Sequence, residues 1–253
     1  MEELNQLLHG NKMQFKFQPI VSSADGSIFG YEALIRSEVP GLEEPWDIIN
    51  LAIEFSMLNQ LETRVQLRLL EIYKEFEHKF KGRRLFFNSI PAETIDEDVY
   101  NVMVEKYSEY LPNIVIEISE CEQHSMDVVA LKSKFIREHG GKMAFDNYGA
   151  GFNSKESIFS FCPDYIKIDF CIISYLDESE ECVEFLRDFV AEAHENNVKL
   201  IALGIERSSQ LELAIKLGVD YLQGFYITHP SFKIADEMDE NLKNQILEAN
   251  LQK

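Results

Sequence analysis

The chain alternates between short runs of apolar, β-branched and aromatic residues and longer segments in which apolar residues recur with helical spacing. Apolar residues at i, i+3, i+4 and i+7 predict helices, whereas short continuous or alternating runs predict strands. Strands are predicted at residues 14–21, 27–36, 84–90, 114–119, 142–146, 165–169, 198–203 and 220–224. Helices are predicted at 47–59, 61–80, 126–139, 179–196 and 209–217, with a closing helix at 234–252.

Several predicted helices carry capping residues at their ends. Asp47, Ser125 and Ser208 are predicted N-caps, because their side-chain oxygens accept a hydrogen bond from a free backbone N–H of the first turn. Gly218 is a predicted C-cap, since glycine adopts the left-handed conformation that commonly ends a helix.

The order of these elements predicts an α/β fold. Eight strands in 253 residues, most of them followed by a helix, are typical of a (β/α)8 barrel of the TIM type. A doubly wound open sheet is the alternative. The first two strands resemble a hairpin around Asp25 and Gly26, which allows the first strand to run antiparallel. No linker or repeat interrupts the chain, so we expect residues 1–253 to form a single domain.

Composition and charge exclude several classes of protein. The chain has 24 Lys and Arg against 44 Asp and Glu, a formal net charge of −20. This acidic excess argues against a broad nucleic-acid-binding face. There is no apolar run of about 18 residues and no secretory signal at the start, so we expect no membrane span and a cytoplasmic location.

Polar residues interrupt the predicted strands at positions that are normally apolar. In a parallel strand, a buried charge is costly unless it is paired or bound to a metal. Because the strands of a barrel converge at one mouth, these side chains are expected to meet there. The set comprises Glu32, Asn88, Glu117, Asp146, Lys167 and Gln223.

The residue types in this set indicate metal-assisted phosphodiester chemistry. Three carboxylates and an amide suit Mg²⁺ or Mn²⁺ better than a soft metal. Lys167 is suited to holding a phosphate or an activated water, and Arg36, two pleats beyond Glu32, to gripping a phosphate with its guanidinium. Taken singly, each residue is more often exposed or salt-bridged; only the whole set favours a functional site.

Ordered motifs along nearly the whole chain, from about residue 15 to 230, resemble the EAL domain family. They are FQPIV (17–21), YEALIR (31–36), FFNSIP (86–91), IVIEISE (114–120), FDNYGAGFNS (145–154), PDYIKIDF (163–170), ALGIE (202–206) and DYLQGFYITHP (220–230). The resemblance implies a (β/α)8 barrel and hydrolysis of cyclic di-GMP to pGpG with two Mg²⁺ or Mn²⁺ ions.

The resemblance also implies roles for individual residues. Ligands of the first metal are implied at Glu32, Asn88, Glu117 and Asp146. Lys167 resembles the lysine near the attacking water, and Gln223 the glutamine that orients groups of the site. Nucleotide-binding residues are implied at Gln18, Arg36, Asn88, Asp146 and Gln223. Glu120 resembles a glutamate that braces a flexible loop.

Two positions depart from the pattern of the active family members. Paired aspartates are replaced by Asp146 and Asn147, and Leu203 stands where the family has a glutamate. Leu203 offers no ligand or base. The second metal site is therefore expected to be weak or empty, because two negative charges are missing around it.

These departures favour a degenerate EAL domain with little or no phosphodiesterase activity. It is expected to act as a cyclic di-GMP receptor or as a protein-binding regulator. A protein partner is expected, and the chain is compatible with a homodimer. The alternative is an active metal-dependent phosphodiesterase that hydrolyses cyclic di-GMP to pGpG.

Overall fold

The predicted barrel is present in the computed structural model, which describes residues 1–90, 93, 97–119, 126–150 and 155–252. Eight strands hydrogen-bond in sequence order and close into a barrel. They are β1 (Met13–Ser22), β2 (Ile28–Ser37), β3 (Arg84–Asn88), β4 (Ile114–Ser119), β5 (Lys142–Tyr148), β6 (Tyr165–Ile168), β7 (Lys199–Ala202) and β8 (Tyr221–Leu222). The (β/α)8 architecture is therefore confirmed, and the open sheet is wrong.

Strand β1 runs antiparallel to both of its neighbours, β2 and β8, whereas the other strands pair in parallel. The reason is the tight turn after β1. Gly26 adopts a φ of 70°, and the carboxylate of Asp25 accepts a hydrogen bond of 2.9 Å from the Ser27 amide. A hairpin turn necessarily reverses the chain, so the antiparallel first strand is confirmed.

Helices cover the outside of the barrel. They are α1 (Glu2–His9), α2 (Pro45–Glu54), α3 (Leu58–Glu75), α4 (Glu77–Phe80), α5 (Glu97–Tyr107), α6 (Met126–Glu138), α7 (Lys155–Ser160), α8 (Phe170–Ile173), α9 (Glu180–Glu195), α10 (Ser208–Leu217) and α11 (Glu240–Asn250). Each helix in the described residues is too short or too polar to cross a lipid bilayer.

Several predicted helix ends are wrong. α2 begins at Pro45 with Glu44 as its N-cap, because proline is preorganised for the first helical position, so Asp47 lies inside the helix. α10 is capped at Arg207, not at Ser208, since Gln210 reaches back to the Arg207 amide at 3.0 Å. Gly218 is confirmed as a C-cap with a φ of 93°.

The closing helix and the predicted helix at 61–80 also differ from expectation. The closing helix α11 starts at Glu240 rather than at residue 234, because Asp239 caps its first turn. The segment 61–80 is divided into α3 and α4. Helices α1, α5, α7 and α8 were not predicted. The predicted N-cap Ser125 lies outside the described residues.

The barrel interior is built in layers. One layer is apolar and fills the end at which the parallel strands begin, with buried side chains of Ile20, Phe86, Val115, Ala144, Tyr165 and Ile201. Because successive strand residues alternate between faces, the residue two positions further along each strand also points inward. That next layer contains the polar residues of the site.

Candidate functional site

The second interior layer brings the polar strand residues together at the carboxyl ends of the parallel strands. Six of its eight members lie two positions from a first-layer residue, counted backwards on the antiparallel strand β1; Gln223 lies two positions after Tyr221, which packs against that layer, and Glu32 pairs in register with Gln18. The layer consists of Gln18, Glu32, Asn88, Glu117, Asp146, Lys167, Leu203 and Gln223. Leu203 is its apolar exception, and it packs against the layer below. Alternation thus places the predicted site residues at one mouth.

Lys167 lies at the centre of three carboxylates. Its ammonium Nζ is 2.6 Å from Glu117 Oε1 and 2.9 Å from Glu32 Oε2. Asp146 Oδ1 lies 3.5 Å away. Lys167 is 1% exposed, so these charges interact with little solvent screening. The lysine therefore supplies positive charge where the resemblance implies a metal.

One ammonium does not neutralise three carboxylates. Burial raises the pKa of Glu117 well above its ordinary value, with Lys167 opposing the shift and Glu32 and Asp146 adding to it. Burial likewise raises the pKa of Asp146. Burial alone would lower the pKa of Lys167, but Asp146, Glu117 and Glu32 together raise it well above its ordinary value. The cluster therefore favours a further proton or cation.

Two glutamines complete the wall of the cluster next to Glu32. Gln223 Nε2 donates to Glu32 Oε2 at 2.6 Å and lies 3.1 Å from Gln18 Oε1. Gln18 Nε2 in turn donates to the carbonyl of Thr228 at 3.0 Å. This chain of amides fixes the orientation of Glu32, so Gln223 acts here on a carboxylate of the cluster.

Several buried oxygens of the cluster have no hydrogen-bond partner among the described residues. They are Glu117 Oε2, Asp146 Oδ1 and Gln223 Oε1. An unpaired buried acceptor is costly, and a hard cation with water ligands is one species that satisfies it. Among the described residues, no three acidic, imidazole or thiol groups are arranged to hold an ion by themselves. The unpartnered oxygens of Glu117 and Asp146 are therefore the atoms that would hold a Mg²⁺ or Mn²⁺, and such an ion would need water or neighbouring amides as its other ligands.

The two positions that depart from the family pattern, Asn147 and Leu203, offer no charge to a second cation. Asn147 has a left-handed φ of 59°, a conformation that asparagine tolerates, and its Nδ2 donates to Asp146 Oδ2 at 2.9 Å. Its amide thus hydrogen-bonds to an existing carboxylate and adds no charge. Leu203 lines an open pocket of about 320 Å³ together with Glu32 and Gln223. The Leu203 side chain in this pocket is an isobutyl group, which has no oxygen that could bind a cation.

Two predicted residues lie at the edge of the cluster. Asn88, at the end of β3, is exposed and pairs in register with Glu117. Arg36 lies at the end of β2, where Nη1 donates to the Ile35 carbonyl at 2.7 Å and Nε is 3.5 Å from Glu44. Arg36 therefore does not line the pocket beside Glu32 in this structure. Glu120 lies outside the described residues.

Two aromatic residues at the mouth were not predicted. Phe170 and Phe225 line the pocket beside Leu203, with exposed fractions of 44% and 54%. Each directly follows the end of a strand motif, KID for Phe170 and LQG for Phe225. The position of an aromatic residue directly after a predicted strand is the sequence signal that could have found these two.

Solved structures of low sequence identity share this barrel. The FimX EAL domain of Xanthomonas citri, in complex with c-di-GMP, matches with a TM-score of 0.79 and 18% identity, over 94% of this chain and 95% of that one. BlrP1 of Klebsiella pneumoniae, in a complex with manganese and cyclic di-GMP, matches with a TM-score of 0.76 and 22% identity, over 89% and 58%. These likenesses establish the fold.

Curated relatives match by sequence. The cyclic di-GMP phosphodiesterase NbdA of Pseudomonas aeruginosa is 26% identical over 90% of this chain and 30% of its own length. The cyclic di-GMP phosphodiesterase PdeR of Escherichia coli is 26% identical over 92% of this chain and 36% of its own length. This chain therefore spans about a third of these relatives.

The family comparison agrees with the order of the strand motifs. The model of the EAL domain matches residues 1–230, which is most of the 253-residue chain. The chain therefore belongs to the EAL domain family.

Proposed function

We propose that this chain is a degenerate EAL domain that binds cyclic di-GMP as a receptor and hydrolyses it little or not at all. The observation that carries the proposal is Leu203, an apolar side chain in the otherwise polar second layer and next to Glu32 and Gln223. Support for the ligand comes from relatives named as cyclic di-GMP phosphodiesterases and from family structures described as complexes with that dinucleotide.

The missing chemistry follows from the charges. Two bound cations lower the pKa of the attacking water and neutralise the leaving oxygen of a phosphodiester. The cluster has oxygens for one cation, but Leu203 and the engaged amide of Asn147 add no anionic group toward a second, and the pocket beside Leu203 keeps only Glu32 and Glu206 as carboxylates among its described lining residues. Lys167, whose ammonium donates to Glu32 and Glu117, supplies positive charge to this end of the barrel. Binding is therefore retained while activation of the water is lost.

Turnover and binding together test this proposal. Purified protein is incubated with cyclic di-GMP and Mn²⁺, pGpG is quantified, and the affinity is measured by isothermal titration. We expect saturable binding with negligible pGpG. Brisk turnover would support the active phosphodiesterase instead. An absence of binding and of turnover would leave a protein-binding regulator as the better account.

Arg36→Ala is expected to weaken the binding of cyclic di-GMP about 10- to 100-fold, because hydrogen bonds to a charged phosphate are lost. Glu44→Gln is the matched control. It keeps Arg36 but weakens the ion pair that holds its Nε at 3.5 Å, so binding should be unchanged or tighter. Titration calorimetry measures both. Equal affinities of Arg36→Ala and wild type would refute the role of Arg36.

A further inference from the structure

A second buried charged cluster lies outside the barrel interior, between two helices and the end of β3. Glu62 on α3 and Lys132 on α6 are each 3% exposed. Lys132 Nζ donates to Glu62 Oε1 at 2.8 Å. Neither residue belongs to the motifs that identified the family. The pair brings together two helices that are far apart in sequence.

Both members of the pair also hold the backbone that follows Asn88. Glu62 accepts hydrogen bonds from Ser89 Oγ at 2.6 Å and from the Ile90 amide at 2.8 Å. Lys132 donates to Ser89 Oγ at 2.9 Å and to the Ile90 carbonyl at 2.6 Å. Three donors of the ammonium thus meet three acceptors, and the cluster is saturated.

The same short segment is fixed from the inside by the site. Asn88 pairs in register with Glu117, and the Ser89 amide donates to the Glu117 carbonyl at 2.9 Å. The end of β3 is therefore held between the backbone of β4 at Glu117 on one side and the Glu62–Lys132 pair on the other. A displacement of Ser89 and Ile90 on the outer side is therefore expected to move Asn88, which directly precedes them.

Stability alone does not require these charges. Buried ion pairs are often replaced by apolar residues of similar volume without loss of stability. A pair whose hydrogen bonds converge on the residues directly after a candidate ligand has a more specific use. Groups that orient a metal ligand from outside typically change metal affinity 10- to 100-fold when they are mutated.

We infer that Glu62 and Lys132 are positioning residues that hold Asn88 in place for the cation of the second interior layer. The inference rests on the proposed single-cation site and deepens it. The pair anchors α3 and α6 to the end of β3. Its saturated hydrogen bonds restrict Ser89 and Ile90 to one conformation. In that arrangement the Asn88 amide would be available to the cation that the unpartnered oxygens of Glu117 and Asp146 would hold.

Manganese affinity tests the inference in the full chain. The double variant Glu62→Gln/Lys132→Met removes both charges at nearly constant volume, so no buried charge is left unpaired. Ser89→Ala keeps the ion pair and its two bonds to the Ile90 backbone but removes both hydrogen bonds of the Ser89 hydroxyl. We expect the affinity for Mn²⁺, measured by titration calorimetry, to fall about 10-fold or more in the double variant. A several-fold loss is expected for Ser89→Ala.

Asp164→Asn is the matched control. Asp164 also pairs with a lysine, Lys142 at 2.8 Å, and accepts from a backbone amide, that of Met143 at 3.0 Å, but at the opposite end of the barrel. The Asp164→Asn variant should have a lower melting temperature than wild type and an unchanged affinity for Mn²⁺. Wild-type affinity in a folded double variant, or in Ser89→Ala should the double variant not fold, would overturn the inference.

Side-chain amide resonances separate this inference from the proposed cation site. In ¹⁵N spectra without metal, Ser89→Ala should shift or broaden the side-chain amide signals of Asn88 and leave those of Asn147, on β5, in place. If wild type binds no Mn²⁺, the cation site fails, and these spectra alone decide the positioning role. Unmoved Asn88 signals would then refute it.

Discussion

The double variant Leu203→Glu/Asn147→Asp is expected to show measurable Mn²⁺-dependent hydrolysis of cyclic di-GMP to pGpG. The change restores two carboxylates beside a cluster that already contains Lys167 and Gln223 together with the acidic residues around them. Two carboxylates supply the negative charge that a second cation needs. Because losing a group of this kind commonly costs about 10³-fold in rate, a gain of similar size over wild type is expected.

Each single change should do little, because groups that act as a unit have non-additive effects. Leu203→Glu alone adds a carboxylate to a cluster that already raises the pKa of Glu117, so this variant should also be less stable. Asn147→Asp removes the donor to Asp146 and replaces it with a like charge. A product assay on wild type, both single variants and the double variant measures this. An inert double variant that nevertheless binds two cations would show that the loss of activity lies elsewhere.

Lys167→Met is expected to lower the free energy of unfolding by about 3–5 kcal/mol, because it leaves the carboxylates of Glu32, Glu117 and Asp146 buried without a cation. Urea denaturation measures the loss. Added Mn²⁺ should recover part of it, since a cation that binds only the folded state stabilises that state.

Lys142→Met provides the control for the loss of a lysine. Lys142 is 40% exposed and pairs with Asp164 at the other end of the barrel. Surface pairs of this kind contribute about 0–1 kcal/mol, so this variant should remain close to wild type. If both substitutions changed the free energy of unfolding equally, Lys167 would not be the group that compensates the buried carboxylates.

The strands were predictable because each carries its own local signal. A buried parallel strand such as β7 appears in the sequence as a short apolar run. The turn residues Asp25 and Gly26 indicate that β1 is antiparallel to β2. The unpredicted helix α5 has only one fully buried residue, Met103, so its apolar periodicity is weak. The start of α10 was misplaced because Gln210, a side chain inside the helix, completes the cap.

The members of the site were also predictable, but their pairing was not. Alternation along the strands places Glu32, Glu117 and Lys167 on the inner face. Nothing in the order of residues indicates that Lys167 bonds to two carboxylates, or that Arg36 lies near Glu44. Such contacts depend on side chains from distant segments. The Glu62–Lys132 pair was missed for the same reason.

The number of Mn²⁺ ions bound per chain in the presence of cyclic di-GMP tests the central claim most directly. Equilibrium dialysis with metal analysis measures it on the wild-type protein at saturating nucleotide. The unpartnered oxygens of Glu117 and Asp146 provide for one cation, and Leu203 provides nothing for another. We expect at most one ion per chain. Two ions per chain, lying about 4 Å apart in a crystal of the complex as two-metal sites do, would contradict the degenerate assignment.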